Sequence, residues 1–150
     1  MSKVAVPVTP EEAAGPLAIG RTYRFAKTIS ESDIYQFAGI TGDFHPNHVD
    51  EQYMATTRYG RRIAHGALLV GFMSTVSGMI CLEIGIDRPA VTYGLDRIRY
   101  IKPVFIGDTI TTLYEIAQRD DRLGEIRSTV TVSNQDGAVV AVAIHILKLV

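Results

Sequence analysis

Asp43, His45, His48 and Asp50 fall together in the segment 41–50 (TGDFHPNHVD), and His65 stands directly before a long apolar run. Three of the chain's four histidines therefore lie between positions 45 and 65, while His145 belongs to the last predicted strand. A carboxylate and an imidazole at the spacing of Asp43 and His48, held by a rigid turn beside a helix N-terminus, suit general acid–base chemistry near neutral pH. The backbone N–H groups at a helix start can hold a developing anion. His45 and His48 with a carboxylate could instead ligate zinc, although H-x-x-H in a Pro-containing loop is a weak pattern and His145 is remote. A solvated polar loop fits the same composition. Residue types alone leave the three readings open.

Elements on either side must position these groups. Gly42 and Pro46 keep 41–50 from being a helix interior. Upstream, the pattern predicts a strand over 23–29. A helix follows, capped at Ser30 or Ser32, acidic at Glu31 and Asp33, with Ile34, Phe37, Ala38 and Ile40 at helical spacing. A short helix is expected around 51–58 and a long apolar one over 66–83. In the long helix Gly71, Ser74, Gly78, Cys81 and Gly85 form one stripe of small residues, expected to let a sheet wrap closely around it. After Pro89 come four β-type runs, 90–100, 108–118, 125–133 and 138–149, punctuated by Gly107, Gly124 and Gly137, with a hairpin turn at NQDG (134–137). Ile126, Ser128, Val130 and Val132 alternate with Arg127, Thr129 and Thr131, as in a half-exposed strand. One strand, a long helix and four more strands predict an α+β layout with an antiparallel sheet around the helix.

Composition bounds the rest. The 150 residues fit a single domain over 19–150, with 1–18 read as a flexible leader without an apolar signal-peptide core. Fifteen basic and 16 acidic residues give a net charge of −1 without a long run of either sign, so the sequence carries no electrostatic footprint for nucleic acid or an anionic membrane. A lone cysteine, Cys81 between Ile80 and Leu82, excludes an internal disulfide. It reads as a buried thiol in a reducing, cytoplasmic setting. The uncharged stretch 66–82 is marginal in length for a membrane span and contains Ser74, Thr75 and Ser77, so it reads as a helix buried in a soluble protein.

The segments G-D-F-H-P-N-H at 42–48 and R-R-I-A-H-G at 61–66 resemble the MaoC-type (R)-specific enoyl-CoA hydratases. That family's pattern is G-D-x-N-P-[apolar]-H, followed some 17 residues later by an H-G that opens the central helix of a hot-dog fold. K-P-V-F-I-G-D-T-I at 102–110 resembles the family's segment between two sheet strands, so the likeness runs from about residue 20 to the C-terminus. It implies Asp43 and His48 as the catalytic pair, the Gly66 N–H as donor to the thioester oxygen, and Ser74 as support for the aspartate. His45 stands where the family has Asn, Asn47 replaces an aliphatic residue, Met54 a small one, and Arg62 a proline. His45 and Asn47 are expected to line the pocket mouth, and His65 is expected among the oxyanion or substrate-binding residues.

The implied activity is reversible hydration of trans-2-enoyl thioesters, on CoA or acyl-carrier protein, to (R)-3-hydroxyacyl thioesters. No metal and no cofactor beyond the thioester carrier is expected. A homodimer or higher homo-oligomer with its acyl tunnel along the subunit interface is implied as well. The alternatives are a hot-dog acyl-CoA thioesterase and a non-catalytic subunit of a heterodimeric dehydratase. Arg58, Arg61, Arg62, Arg97 and Lys102 could meet CoA phosphates, though most read as scattered solvated cations.

Overall fold

Alternation along the strands decides which side of the sheet is buried. In β4 (Glu125–Ser133) the side chains of Ile126, Ser128, Val130 and Val132 are buried while their neighbours reach toward solvent, as the sequence pattern predicts. In β3 (Thr109–Asp120), Ile110, Thr112, Tyr114 and Ile116 do the same. These faces, with the more deeply buried β5 (Val139–Leu149), form the inner wall of an antiparallel sheet in the order β1-β3-β4-β5-β2. β1 (Thr22–Thr28) and β2 (Ala90–Tyr100) are its edges. The computed structural model describes residues 6–150.

α5 (Gly66–Ile84) fills the inner face with Leu69, Met73, Val76, Ser77 and Ile80. The Tyr114 hydroxyl donates to the Met73 carbonyl at 2.8 Å, which fixes the helix against β3. Full burial of each large apolar side chain here contributes roughly 1.5–3 kcal/mol. The small-residue stripe lies elsewhere: Gly71, Ser74 and Gly78 are exposed, and a Cβ built on either of those glycines would meet nothing within 4 Å. The close approach expected at that stripe is made by the bulky face instead, because a curved sheet leaves room for whole side chains.

Polar groups also enter this interface. His145 Nε2 lies 3.1 Å from Thr92 Oγ1, Thr92 Oγ1 lies 3.3 Å from Ser77 Oγ, and the Ser77 hydroxyl donates to the Ser74 carbonyl at 2.9 Å. Burial pushes the His145 imidazole down to about 4. Burial also raises the Cys81 thiol above its ordinary value, as suits an unreactive packing residue.

β2 breaks register with β5 twice, between Thr92 and Gly94 and between Asp96 and Arg99. Within the second break Arg97 takes φ 54°, a left-handed conformation rare for a side-chain-bearing residue.

Residues 6–18, expected as part of a flexible leader, are folded onto the sheet. α1 (Pro10–Ala14) carries a Thr9/Glu12 capping box, and Leu17 is completely buried. Arg88 holds the segment through Glu12, with Nε to Oε1 at 2.7 Å, and through the Pro7 carbonyl at 2.8 Å. Arg119 donates to the Ala13 and Leu17 carbonyls. A proline- and glutamate-rich stretch looks unattached in sequence because its partners lie some 80 to 100 residues downstream.

Candidate active site

α2 (Glu31–Thr41) starts with a capping box at Ser30, whose side chain and that of Asp33 satisfy each other's backbone N–H. It stops at Gly42 in the left-handed region (φ 80°), which turns the chain so that Asp43 leaves the helix. α3 (Pro46–Val49) follows immediately. Pro46 is pre-set for a first helical position, and His45 caps the turn by accepting the Asn47 N–H on Nδ1 at 3.2 Å. α4 (Glu51–Ala55), capped by Asp50, completes the bend.

A single extended residue fixes this bend to the body. The Ile63 N–H donates to the Asn47 carbonyl at 3.0 Å, and its carbonyl accepts from His48 Nδ1 at 2.7 Å. Ile63 also bridges Phe105, and the Ala64 N–H donates to Val104 O at 2.7 Å. The Asp108 carboxylate, accepting from the Phe105 N–H at 2.8 Å, stiffens the far side of that pairing.

The contact to Ile63 determines the His48 tautomer. A backbone carbonyl can only accept, so Nδ1 carries the proton and Nε2 keeps its lone pair free. Desolvation by burial lowers the His48 pKa below the ordinary imidazole value, chiefly against the raising effect of the Ile63 bond. The ring is thus a neutral base at physiological pH.

His65, expected among the substrate-binding residues, is buried behind His48 with only 2% of its surface exposed. Its ring stacks on His48 with centroids 3.7 Å apart and on Phe37 at 4.8 Å. Nε2–H donates to the Asp43 carbonyl at 2.9 Å, while Nδ1 has no partner among the described residues. His65 therefore ties Asp43 to His48 without reaching substrate itself. One ligating atom from each of Asp43, His48 and His65 lies within 4.8 Å of the others. This is not the zinc set that the sequence suggested, since His65 stands in place of His45, whose Nδ1 accepts from the Asn47 N–H.

A cleft of about 470 Å³ opens beside His48. His48 and Gly66 line it with Ile63, Ala64, Leu69 and Val104, and Arg58, Tyr59, Tyr100 and Lys102 stand around it. Gly66 is the first residue of α5, where no intrahelical acceptor exists for its N–H. A Cβ on Gly66 would sit 2.8 Å from the Tyr100 ring, so the glycine is needed to let that ring close the cleft. The sequence marks Gly66 as a donor but gives no sign of Tyr100, which no motif contains.

Of the other expected residues, Asp43 is exposed beside His48 and its Oδ1 accepts from the His45 N–H at 3.3 Å. His45 and Asn47 are occupied in the α3 turn and do not line the cleft. Ser74 is exposed on the outer face of α5, and its side chain bonds to nothing among the described residues. The support for Asp43 comes from His65 and the His45 backbone.

The geometry has relatives. A family model described as MaoC-like domain matches residues 14–138. An (R)-specific enoyl-CoA hydratase of Rhodospirillum rubrum is 39% identical over 118 residues, 77% of this chain and 78% of that protein. The solved structure of an (R)-hydratase from A. caviae superposes with a TM-score of 0.80 at 27% identity, covering 89% of this chain and 97% of that one. A hot-dog-like protein from Thermanaerovibrio acidaminovorans gives a TM-score of 0.67 over 95% of this chain and 88% of that one. At 12% identity it is a likeness of fold alone. The expected hot-dog architecture is the one found.

Proposed function

The chain belongs to the MaoC-like domain family, and on that premise we propose that it is a hydro-lyase that reversibly hydrates trans-2-enoyl thioesters to (R)-3-hydroxyacyl thioesters. The observation that carries the reading is the convergence, at one cleft, of an imidazole nitrogen on His48 and a helix-start N–H on Gly66 that have no partner among the described residues. Hydration needs these two things: a base for water and a donor for the oxygen that becomes an enolate.

In the proposed mechanism one water sits between Asp43 and His48, whose functional atoms lie close enough to share it. His48 Nε2 takes a proton as the water oxygen bonds to the β-carbon. Electrons of the C=C bond move onto the thioester carbonyl, and the Gly66 N–H holds the resulting oxyanion. Asp43 relays the proton to the α-carbon, restoring the carbonyl and leaving the enzyme unchanged. His65 is a positioning residue, holding the Asp43 backbone and the His48 ring.

A homodimer is part of the proposal. β2 is an edge strand that leaves Val91 and Tyr93 exposed, the latter by 62%, and it runs into Tyr100 and Ile101 at the cleft. Pairing of two copies along this edge would cover those groups and bring the cleft to the interface.

Incubation with crotonyl-CoA, following loss of the conjugated enoyl absorbance with a free-thiol assay in parallel, tests the activity. Loss of absorbance without thiol release is expected. Thiol release at the same rate would instead make the protein a thioesterase.

A further inference from the structure

Cations are not distributed evenly over this surface. Most arginines that face a carboxylate have taken one: Arg21 with Glu83, Arg88 with Glu12, Arg119 with Asp121, and Arg127 with Asp96 and Glu125. Arg62 takes two, Glu31 and Glu51, at 2.6 and 2.9 Å. These acids come from α2 and α4, and Arg62 holds both of them, so neither forms an ion pair with Arg58 or Arg61. Arg58 and Lys102 form no ion pair among the described residues, and both line the cleft that holds His48 and Gly66. Arg61, in the same loop as Arg58, is likewise without a carboxylate and lies 4.0 Å over the Phe105 ring. Arg97, by contrast, borders a separate hollow with Asp96 and Arg127.

Arg58 is also held in place. Its guanidinium donates to the Tyr59 hydroxyl at 2.7 Å and lies 4.8 Å from the Tyr59 ring centroid. Tyr59 itself lines the cleft, so the stacked pair forms part of the rim rather than a free surface chain. Between these exposed cations and the half-buried His48, the wall is apolar: Ile63, Ala64, Leu69, Pro103 and Val104. Such a cleft fits an elongated ligand with a neutral body, a reactive carbonyl at one end and an anionic group at the other.

We infer that Arg58 and Lys102 bind the phosphate of a phosphopantetheine-type carrier, holding the acyl thioester by the end remote from the reaction. The assignment rests on the hydratase reading above for the identity of the thioester. The shared chemistry is a phosphate ester, and it has two sources: the nucleotide phosphates that only CoA carries, and the 4′-phosphate common to CoA and acyl-carrier protein. Paired cations, one planar and forked and one a point charge, suit a multiply charged phosphate better than a single carboxylate.

The test uses the full chain with three substrates: crotonyl-CoA, crotonyl-4′-phosphopantetheine and crotonyl-pantetheine. Arg58→Ala and Lys102→Ala should each lower kcat/KM for crotonyl-CoA by roughly three- to tenfold, mostly through KM, as expected for charge-assisted contacts at a partly solvated rim. The preference for crotonyl-CoA over crotonyl-pantetheine should collapse in the double variant and return in Arg58→Lys/Lys102→Arg. If crotonyl-4′-phosphopantetheine responds as crotonyl-CoA does, the 4′-phosphate is the group bound; if only crotonyl-CoA responds, it is a nucleotide phosphate. Equal losses on all three substrates, or no loss on any, would overturn the assignment while leaving hydration intact. Should the wild-type protein hydrate none of them, the hydratase reading fails by itself. Calorimetric titration with butyryl-CoA then decides the phosphate question, because the double variant must still bind it more weakly.

Discussion

Gly66→Pro separates a backbone function from its steric setting. Proline has no N–H, so the substitution deletes the proposed oxyanion donor and nothing else polar. The site tolerates it locally. Gly66 opens α5, a position where proline is favoured, and the preceding His65 has φ −58° and ψ 129°, already in the extended region required before proline. One complication is steric, since any Cβ here sits 2.8 Å from Tyr100 Cε2. That ring is 51% exposed and can swing outward, and Gly66→Ala carries the same Cβ with the N–H retained. The ratio of the two variants therefore isolates the N–H. Loss of one oxyanion donor is worth about 2.7–4 kcal/mol, so Gly66→Pro should turn over crotonyl-CoA about a hundred- to a thousandfold more slowly than Gly66→Ala. The effect should fall on kcat more than on KM, because the bond strengthens as the enolate forms. Circular dichroism should give matching spectra for the two variants. A folded Gly66→Pro protein with the turnover of Gly66→Ala would remove this N–H from the mechanism.

Further outcomes follow from the same geometry. His48→Ala or Asp43→Ala should each cost about a hundred- to ten-thousandfold in turnover, with the double variant little worse because both act on one water. In the wild type the acidic limb of kcat/KM should lie below the ordinary imidazole range, since burial keeps His48 neutral; a limb above it would contradict the burial. His65→Phe keeps the stack on His48 but loses the donor to the Asp43 carbonyl, so kcat should fall roughly tenfold at near-constant KM, with partial recovery in His65→Gln; unchanged kcat in His65→Phe would refute a positioning role. For His145, a folded-state value of about 4 against an ordinary 6.5 corresponds to about 3 kcal/mol of stability, present above pH 6.5 and lost as pH falls through 4. Denaturant melts should show that loss in the wild type and a much shallower one in His145→Gln. Hydration should survive exhaustive EDTA treatment; loss on chelation with recovery on zinc would make Asp43, His48 and His65 a metal site.

Local chemistry in the sequence was legible wherever it acted locally. Alternation located β4 over the same residues the structure gives, and the glycine after His65 located the start of α5. Gly42 and Pro46 marked the bend that carries Asp43 and His48. What escaped depends on partners far along the chain. The facing of α5 could not be read from its stripe of small residues, because bulky Met73 and Ile80 occupy the concave side. Ser74 carried a support role only by resemblance, while the group bonded to the Asp43 backbone is His65, 22 residues away. Tyr100 opposes Gly66 only after the sheet has closed around the helix. The attachment of residues 6–18 likewise awaits Arg88 and Arg119.

The two edges of the sheet are unlike, and this has a consequence for assembly. β2 presents Val91 and Tyr93, whereas β1 is a seven-residue strand bearing Arg24 and Lys27. Joining two copies through β2 would leave the short β1 strands at the outer margins, with Arg24 exposed and Lys27 held by Asp33 at 3.0 Å. In such a pair, further strand addition would meet only these short margins, so resistance to fibre growth would come from the asymmetry of a single sheet.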